Sequence, residues 1–364
     1  MADKGTSEVD RKRLRQLLES VRGAERVWIL LHDGPDPDAM AGGMLIERVL
    51  QEECEAEVRI TYGGIIGRPD NRAMAEFLDI SLSHLESIDV LPGDRFILVD
   101  TQPPFTNNSL PEGAEVAAVI DHHPPDDATE AGFLDIRPDV GAVATMATQY
   151  LRAAGLDLSG RLATAITYAI ISETEDLGRE VTEQDLRTYM WALHRADHVL
   201  IGQLRHPRVE RRFYRTLTAA LKAAQVAGDA VLCHLARVNA PDELARVADI
   251  LNPLTGCRWV LCTGEQENLM ILSLRSSDPD ADAERLMAEL LAERGSGGGH
   301  GMVAGGEIEL TENDDPAEIR QGLSEKFLHA VGHDGPENTE PLLNPPAEEM
   351  IPQDQDFDSQ EDER

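Results

Sequence analysis

Three segments in the first half of the sequence place aspartate and histidine side chains close together. They are "HDGPDPDA" at residues 32–39, "VDTQ" at residues 99–102 and "DHHP" at residues 121–124. Carboxylates that converge repel one another unless cations lie between them, and carboxylate with imidazole ligands suits Mn²⁺ or a similar first-row ion. Two such ions bridged by one carboxylate would stabilise the attacking and leaving oxygens of a phosphoryl displacement. The residue types therefore point to metal-assisted phosphoryl chemistry.

Each segment taken alone also has a structural interpretation. "PDPDA" fits a turn or the N-terminal cap of a helix, and an aspartate after a strand is common in α/β proteins. The "DHH" triplet carries more weight, because consecutive histidines beside an acid rarely serve a hydrophobic core. A fourth acidic segment, "SETEDLGRE" at residues 172–180, follows an apolar helical pattern instead of a strand. The chemistry depends on whether these segments meet in space.

Alternating strand and helix patterns surround these segments. Apolar runs typical of buried strands lie at residues 26–31, 57–62, 95–100 and 116–121. Helical periodicity is found at residues 39–51, 71–78, 143–154 and 161–171. This alternation predicts an α/β domain, a parallel sheet with helices on both faces. Ligands of such sheets gather at the carboxyl ends of the strands, where we expect the acidic segments to converge.

The second half repeats a mixed helix and strand pattern on a smaller scale, so we expect a second, smaller mixed α/β domain across a cleft from the first. It includes neighbouring strands in "CRWVLCT" and "LMILSLRS", an amphipathic helix at residues 281–294 and the glycine-rich "GSGGGHGMVAGG". From residue 335 onward few large apolar residues occur, which predicts disorder. The expected regions are an N-terminal extension at 1–24, a catalytic domain at 25–194, a linker at 195–212, the second domain at 213–334 and an acidic tail at 335–364.

The composition narrows the classes of function. The formal net charge is −34, and only four of the 33 basic residues are lysines. So negative a chain disfavours binding to long nucleic acid, which relies on many basic residues that neutralise phosphates. The four cysteines form no CxxC pair, which argues against a disulfide framework or a zinc ribbon. With no long apolar run and a polar N-terminus, we expect a cytoplasmic protein without a membrane partner.

The quoted segments resemble the motifs of the DHH-family phosphoesterases, a family named for the triplet that stands here as Asp121-His122-His123. "HDGPDPDA" matches the first family motif, and Asp100 matches the second. "GGGHGMVAGG" resembles the glycine-rich signature of the DHH-associated C-terminal domain, which helps to grip the substrate. The resemblance runs from about residue 26 to residue 308. It is closest to the short two-domain members, which include nanoRNases, pAp phosphatases and cyclic-dinucleotide phosphodiesterases.

The resemblance implies a role for each residue of the metal centre. One metal ion would be held by His32, Asp36 and the bridging Asp100. The second would be held by Asp38, Asp100, His122 and an acid of the fourth motif. His123 would face the scissile phosphate, and Asp121 would orient a neighbouring histidine. The expected ions are two Mn²⁺, with Mg²⁺ or Co²⁺ as alternatives. Asp33 matches no family role and is expected to face solvent.

The fourth motif departs from the family pattern. Family members usually read Thr/Ser-Asp-Thr, whereas this chain reads Ser172-Glu173-Thr174. We assign the metal ligand to Glu173, whose extra methylene still lets the carboxylate reach the ion. Asp176 is the rival candidate.

Contacts with the substrate rest on weaker patterns. The glycine-rich segment predicts a loop whose backbone N–H groups hold phosphate, and an ordinary glycine turn is the alternative. Arg275 could bind phosphate or form a surface salt bridge. "GRPDNRA" could line the cleft or simply begin a helix. The candidate substrate-binding residues are Arg275, Gly298, Gly299, His300, Asn71 and Arg72.

The leading functional hypothesis is a phosphodiesterase or phosphatase that hydrolyses short oligonucleotides, dinucleotides or pAp with a water activated by two metal ions. One alternative is a cyclic-dinucleotide phosphodiesterase, which would use the same chemistry. Another is a non-catalytic nucleotide-binding protein whose fourth metal motif has changed. The expected partner is a short oligonucleotide or small nucleotide, and a homodimer is left open.

Overall fold

The computed structural model of the chain describes residues 7–292 and 294–343. The chain divides into two compact units, with the boundary between Arg208 and Val209. In the described part of the chain, no helix combines the length and the apolar character needed to cross a membrane.

The first unit is built on a sheet of six parallel strands. The strands are β1 (Arg26–Leu31), β2 (Glu57–Tyr62), β3 (Leu82–His84), β4 (Arg95–Val99), β5 (Glu115–Asp121) and β6 (Phe133–Ile136). The helices are α1 (Glu8–Ser20), α2 (Pro37–Glu53), α3 (Pro69–Phe77), α4 (Val143–Ala153), α5 (Gly160–Glu173), α6 (Glu183–Leu193) and α7 (His198–Arg205). The predicted α/β class is confirmed.

Successive residues of the central strands enter different cores, because side chains alternate between the two faces of a sheet. Ile29 and Leu31 of β1 pack into the large core that contains the helices, whereas Trp28 and Leu30 pack into a smaller core on the opposite face. That second face is covered by loops and the short 3₁₀ helix Leu85–Ser87. Its covering layer is therefore thinner than the helical layer expected from the sequence.

The strand order places the acidic segments side by side. The order is β3-β2-β1-β4-β5-β6, so β1 and β4 are neighbours although they are distant in sequence. The order of the strands reverses between these two, and a crevice opens at the carboxyl ends of the strands on either side of such a point. The segments at 32–36 and 100–102 follow β1 and β4, and the "DHH" triplet lies at the end of β5.

The second unit contains a mixed seven-stranded sheet of order β11-β12-β10-β9-β8-β7-β13. Its strands are β7 (Gln225–Ala227), β8 (Ala230–Leu235), β9 (Trp259–Gln266), β10 (Leu269–Ser276), β11 (Gly295–His300), β12 (Val303–Glu309) and β13 (Glu340–Pro341). Helices α8 (Arg211–Ala223) and α9 (Pro241–Leu251) pack in one core, and α10 (Ala283–Leu291) and α11 (Pro316–Ala330) pack in another. The second mixed α/β domain is thus confirmed.

Three expected segments, a linker, a glycine-rich loop and a disordered tail, differ from the structure. The expected linker contains α7, which joins the first unit because Ile201 and Leu204 are buried there. The expected glycine loop is the edge strand β11, which pairs with β12. Residues 335–343 of the expected disordered tail include β13, which pairs with β7. Residues 344–364 of that tail, like residues 1–6, lie outside the described residues.

Candidate metal centre

The loop after β1 brings His32 and Asp36 towards Asp100. Nε2 of His32 lies 3.6 Å from Oδ1 of Asp36 and 3.9 Å from Oδ2 of Asp100. Asp36 is also the N-terminal cap of α2, since its Oδ1 accepts hydrogen bonds from the backbone N–H groups of Asp38 and Ala39. The carboxylate of Asp36 is therefore the cap of α2 and, at the same time, a candidate metal ligand.

Asp38 is buried in the first turn of α2, where helix α4 fixes its carboxylate. The backbone N–H groups of Val143 and Ala144 donate to its two oxygens at 2.6 Å and 2.9 Å. Burial, and then the nearby charge of Asp100, raise the pKa of Asp38 well above its usual range. The start of one helix thus orients an acid at the start of another.

Asp100 lies at the centre of the acidic cluster. Its backbone is left-handed, with φ of 65°, a conformation that aspartate tolerates better than most residues. Its Oδ1 lies 3.3 Å from Nε2 of His122 and 3.7 Å from Nδ1 of His123. Within the described residues this buried Oδ1 has no hydrogen-bond partner. A buried carboxylate oxygen that lacks a hydrogen-bond partner needs an explanation, and binding of a metal ion at this oxygen would supply one.

The "DHH" triplet contains an internal hydrogen bond. Nδ1 of His123 lies 2.8 Å from Oδ1 of Asp121, which is fully buried. The hydrogen bond and charge of His123 outweigh burial and hold the pKa of Asp121 below its usual range. The other Asp121 oxygen accepts from Nε2 of Gln102 at 2.7 Å. Gln102 was missed at the sequence level, because nothing in "VDTQ" indicates that its amide reaches the next strand.

His32 and His122 each place Nδ1 against a backbone carbonyl. Nδ1 of His32 lies 3.1 Å from the oxygen of Asp33, and Nδ1 of His122 lies 3.3 Å from that of Val140. A histidine that donates its Nδ1 proton in this way presents the lone pair of Nε2, the usual arrangement of a metal-binding imidazole. In both residues Nε2 is the nitrogen nearest to Asp100.

The fourth motif places Glu173 in the electrostatic environment of the cluster. Glu173 is the last residue of α5. Burial, and then the charges of Asp36 and Asp100, raise its pKa to about 7. The rival acid, Asp176, is instead an exposed partner of Arg205 at 2.6 Å. Of the two acids, Glu173 is the one whose charge interacts with Asp36 and Asp100.

These residues fit divalent metal ions. Donor atoms of His32, Asp36 and Asp100 lie within 4.8 Å of one another, and the same limit holds for Asp100, His122 and His123. Asp100 belongs to both trios, as a bridging carboxylate would. The first trio matches the expected ligands of one ion. In the second, His123 lies where a ligand would, although the resemblance assigns it to the phosphate.

Asp33, which was expected to face solvent, is half-buried, and its contacts connect three loops. Both oxygens of its half-buried carboxylate lie within 2.9 Å of Oγ of Ser109, and its backbone N–H donates to Asn107. The neighbouring Gly34 N–H donates to the carbonyl of Gly63. A Cβ atom on Gly63 would lie 2.2 Å from the Asp33 carboxylate. The loops after β1, β2 and β4 therefore interlock beside His32.

Two of the expected substrate-binding residues lie at the start of α3. Asn71 is buried, and its Nδ2 donates to the carbonyl of Pro35 at 3.1 Å, so it supports the loop that carries Asp36. Arg72 is exposed and donates to the carbonyl of Gly67. The structure thus gives Asn71 a supporting contact.

The other expected substrate-binding residues lie in the second unit. Arg275 is buried, and its guanidinium donates to Asp249 at 2.6 Å and to Ser273 at 3.1 Å. Gly298 and Gly299 lie on the edge strand β11. The side chain of His300 is outside the described part of the structure.

Comparison with known proteins matches most of the first unit to a described family. The family described as "DHH family, N-terminal domain" matches residues 26–170. An uncharacterized protein of Methanocaldococcus jannaschii, MJ1633, is 31% identical over 284 residues, which cover 78% of this chain and 58% of that protein. The chain thus spans little more than half the length of this relative.

Solved structures share the fold at low identity. An exopolyphosphatase-related protein from Bacteroides fragilis superposes with a TM-score of 0.71 at 14% identity, over 90% of this chain and 98% of that one. Exonuclease RecJ bound to manganese gives a TM-score of 0.51 at 19% identity, over 92% and 97%. The family match covers the first three motifs and ends before Glu173, and the fold agrees over nearly the whole chain. Residues 26–170 of the chain therefore match the N-terminal domain of the DHH family.

Proposed function

We propose that this chain is a metal-dependent phosphoesterase that hydrolyses short oligonucleotides, dinucleotides or pAp. The observation that carries the proposal is the position of Asp100, which belongs to both trios of donor atoms and keeps one buried oxygen without a hydrogen-bond partner. A carboxylate shared between two ions is the central element of a two-metal phosphoryl-transfer site.

The chain's own residues have separate roles in this proposal. His32, Asp36 and Asp100 would hold one divalent cation, and Asp38, Asp100, His122 and Glu173 the other. When bound, two such cations polarise the phosphoryl group and lower the pKa of a water molecule. The backbone N–H groups of α4 hold Asp38, and carbonyl oxygens hold the Nδ1 atoms of His32 and His122. The ligand atoms are thereby oriented before an ion arrives.

His123 supplies the group that acts on the substrate. Its neutral ring carries the proton on Nδ1, where Asp121 accepts it, so Nε2 carries the lone pair. Burial lowers the pKa of His123, but the hydrogen bond to Asp121 and the charges of Asp100 and Asp121 outweigh it and raise the pKa above its usual value. A histidine that gains a proton readily can donate a hydrogen bond to a phosphate oxygen.

The charge of the chain favours small substrates. A net charge of −34 repels the phosphate backbone of a long nucleic acid, while one short anion can be held by a few local cations. In the second unit, the proposed substrate contacts are Arg275 and the glycine-rich strand β11. The preference for a substrate of two to five nucleotides rests on this charge and on the family resemblance.

The test is a panel assay on the full chain with Mn²⁺. The substrates are pAp, linear oligomers of two to ten nucleotides and cyclic dinucleotides. We expect hydrolysis of the short linear substrates or pAp, and its loss in Asp100→Ala and in His122→Ala. Glu173→Gln should lower the rate strongly, whereas Asp176→Asn, the matched control three residues away, should not. A wild-type chain that hydrolyses none of the panel would show the proposal to be wrong.

A further inference from the structure

The turn after Glu173 has an unusual backbone. Glu175, Asp176 and Leu177 are all left-handed, with φ of 45°, 59° and 67°. Each such residue is strained unless it is glycine, and three in succession are rare. Strain of this kind persists only where the surrounding structure holds it, and it is often found at functional sites.

Buried Thr174 holds this turn in place. Its carbonyl accepts hydrogen bonds from the backbone N–H groups of Gly178 and Arg179, each at 2.9 Å. Its hydroxyl donates to the carbonyl of Ile170 at 2.6 Å and accepts from the N–H of Leu177. The chain therefore turns back on itself within five residues, and the turn delivers Arg179 to the end of α5.

The guanidinium of Arg179 contacts Glu173 in two ways. Nη2 donates to the backbone carbonyl of Glu173 at 3.2 Å and lies 3.7 Å from its side-chain Oε1. Nη1 donates to the carboxylate of Glu175 at 3.0 Å. Only 18% of the Arg179 side chain is exposed. Because the hydrogen bond to the Glu173 carbonyl does not involve the side chain, it holds the guanidinium in place when the Glu173 carboxylate rotates.

The longer distance matters for the chemistry of Glu173. At 3.7 Å the arginine attracts the carboxylate without the close hydrogen bond that would occupy its lone pairs. Asp36 and Asp100 repel the same carboxylate. A fixed positive charge on the other side offsets this repulsion and limits the rotamers of a side chain with one more methylene than aspartate.

We propose that Arg179 is a positioning residue for Glu173, and that it allows a glutamate to serve as metal ligand where the family usually has an aspartate. The inference rests on the metal centre of the proposed function. It is distinct from a purely structural role, in which Arg179 would only cap the C-terminal end of α5.

The test measures Mn²⁺ binding by isothermal titration calorimetry on the metal-free full chain. The variants are Arg179→Gln and Arg179→Lys. The control is Arg205→Gln, which removes the exposed ion pair to Asp176 in the same turn without touching Glu173. We expect Arg179→Gln to weaken one of two Mn²⁺ sites about tenfold or more and to leave the other unchanged. Arg179→Lys should recover part of the affinity, and Arg205→Gln should bind like the wild type.

Three outcomes would overturn the inference. If the positive charge of Arg179 only repels the cation, Arg179→Gln should bind Mn²⁺ more tightly than the wild type. A capping role alone would lower the melting temperature of Arg179→Gln while both affinities stayed unchanged. Equal loss in Arg205→Gln would assign the effect to the turn as a whole. If Arg179→Gln does not fold, the Mn²⁺ affinity of Arg179→Lys is compared with that of the wild type instead. Failure of the proposed function is distinguishable, because a wild type that binds two ions but hydrolyses no substrate still permits this measurement.

Discussion

Nδ1 of His123 lies 2.8 Å from Oδ1 of Asp121, and the second oxygen of the same buried carboxylate accepts from Gln102 at 2.7 Å. The acid therefore faces a proton donor on each side. Gln102 is itself held, because its Oε1 accepts from the N–H of Asp126 and the hydroxyl of Thr129. This chain of hydrogen bonds fixes the tautomer of His123 from the second layer of the site.

Asp121→Asn should separate the role of this network from metal binding. An asparagine must turn its NH₂ group towards either Gln102 or His123, so that two donors face each other. We expect kcat to fall about 100-fold with KM and bound Mn²⁺ unchanged. Steady-state kinetics and metal analysis measure these quantities, and Asp127→Asn, on the exposed part of the same loop, is the control. An equal loss of bound metal would show that Asp121 acts on the ligands instead.

Asp33→Ala should weaken the metal site that contains His32. The substitution removes the carboxylate that Ser109 contacts, so the loops after β1 and β4 lose a link beside the histidine. We expect the Mn²⁺ affinity of one site to fall about tenfold. Asp33→Asn, which keeps an oxygen acceptor for Ser109, should retain most of it. Unchanged affinity in Asp33→Ala, measured by calorimetry, would contradict the prediction.

The convergence of the motifs could be predicted from the sequence, because it follows from a general property of parallel sheets. Runs that end in Leu31, Val99 and Asp121 are apolar strands, and their carboxyl ends must lie on one edge. The order of the strands, which makes β1 and β4 neighbours, is not contained in local patterns and was not predicted. All three of these segments lie within the family match at residues 26–170.

Other features could not be predicted, because they depend on contacts between distant loops. Asp33 looked like a surface residue, since its partner Ser109 is 76 residues away. The strand β11 was missed because four of its six residues are glycines, which show no alternation of apolar and polar side chains. The helix α7 was assigned to a linker because its eight residues are too few to establish a helical period.

Mn²⁺ binding should depend on pH near neutrality. Burial and the carboxylates of Asp36 and Asp100 raise the pKa of Glu173 to about 7, so below that pH an incoming ion must displace its proton. We expect more protons to be released on binding at pH 6 than at pH 8, and the affinity to rise across this range. Calorimetry in two buffers of different ionisation enthalpy measures the release. Glu173→Gln should abolish the difference between the two pH values, and equal release in the wild type would exclude Glu173 as the group responsible.

Stability should fall in mild acid because of His234 in the second unit. Burial, and then the charge of Arg320, lower its pKa to about 4. The Ser324 hydroxyl donates to the carbonyl of Arg320, so Nε2 of His234 donates to that hydroxyl oxygen, and Nδ1 accepts from Thr263 at 2.7 Å. The neutral ring satisfies both hydrogen bonds, whereas a proton on Nδ1 would face the hydroxyl proton that Thr263 donates there.

The sign of this effect follows from the lowered pKa. Between the ordinary histidine value of about 6.5 and the folded value of about 4, the unfolded chain binds a proton that the folded chain does not. The contribution of His234 is therefore fully present above pH 6.5 and is lost as the pH falls towards 4, by on the order of 3 kcal/mol. Urea unfolding at pH 7.5 and pH 4.5 measures the difference in the free energy of unfolding. His234→Gln can keep hydrogen bonds but cannot titrate, so its difference between the two pH values should be smaller by that amount. An equal difference in wild type and variant would place the acid sensitivity elsewhere in the chain.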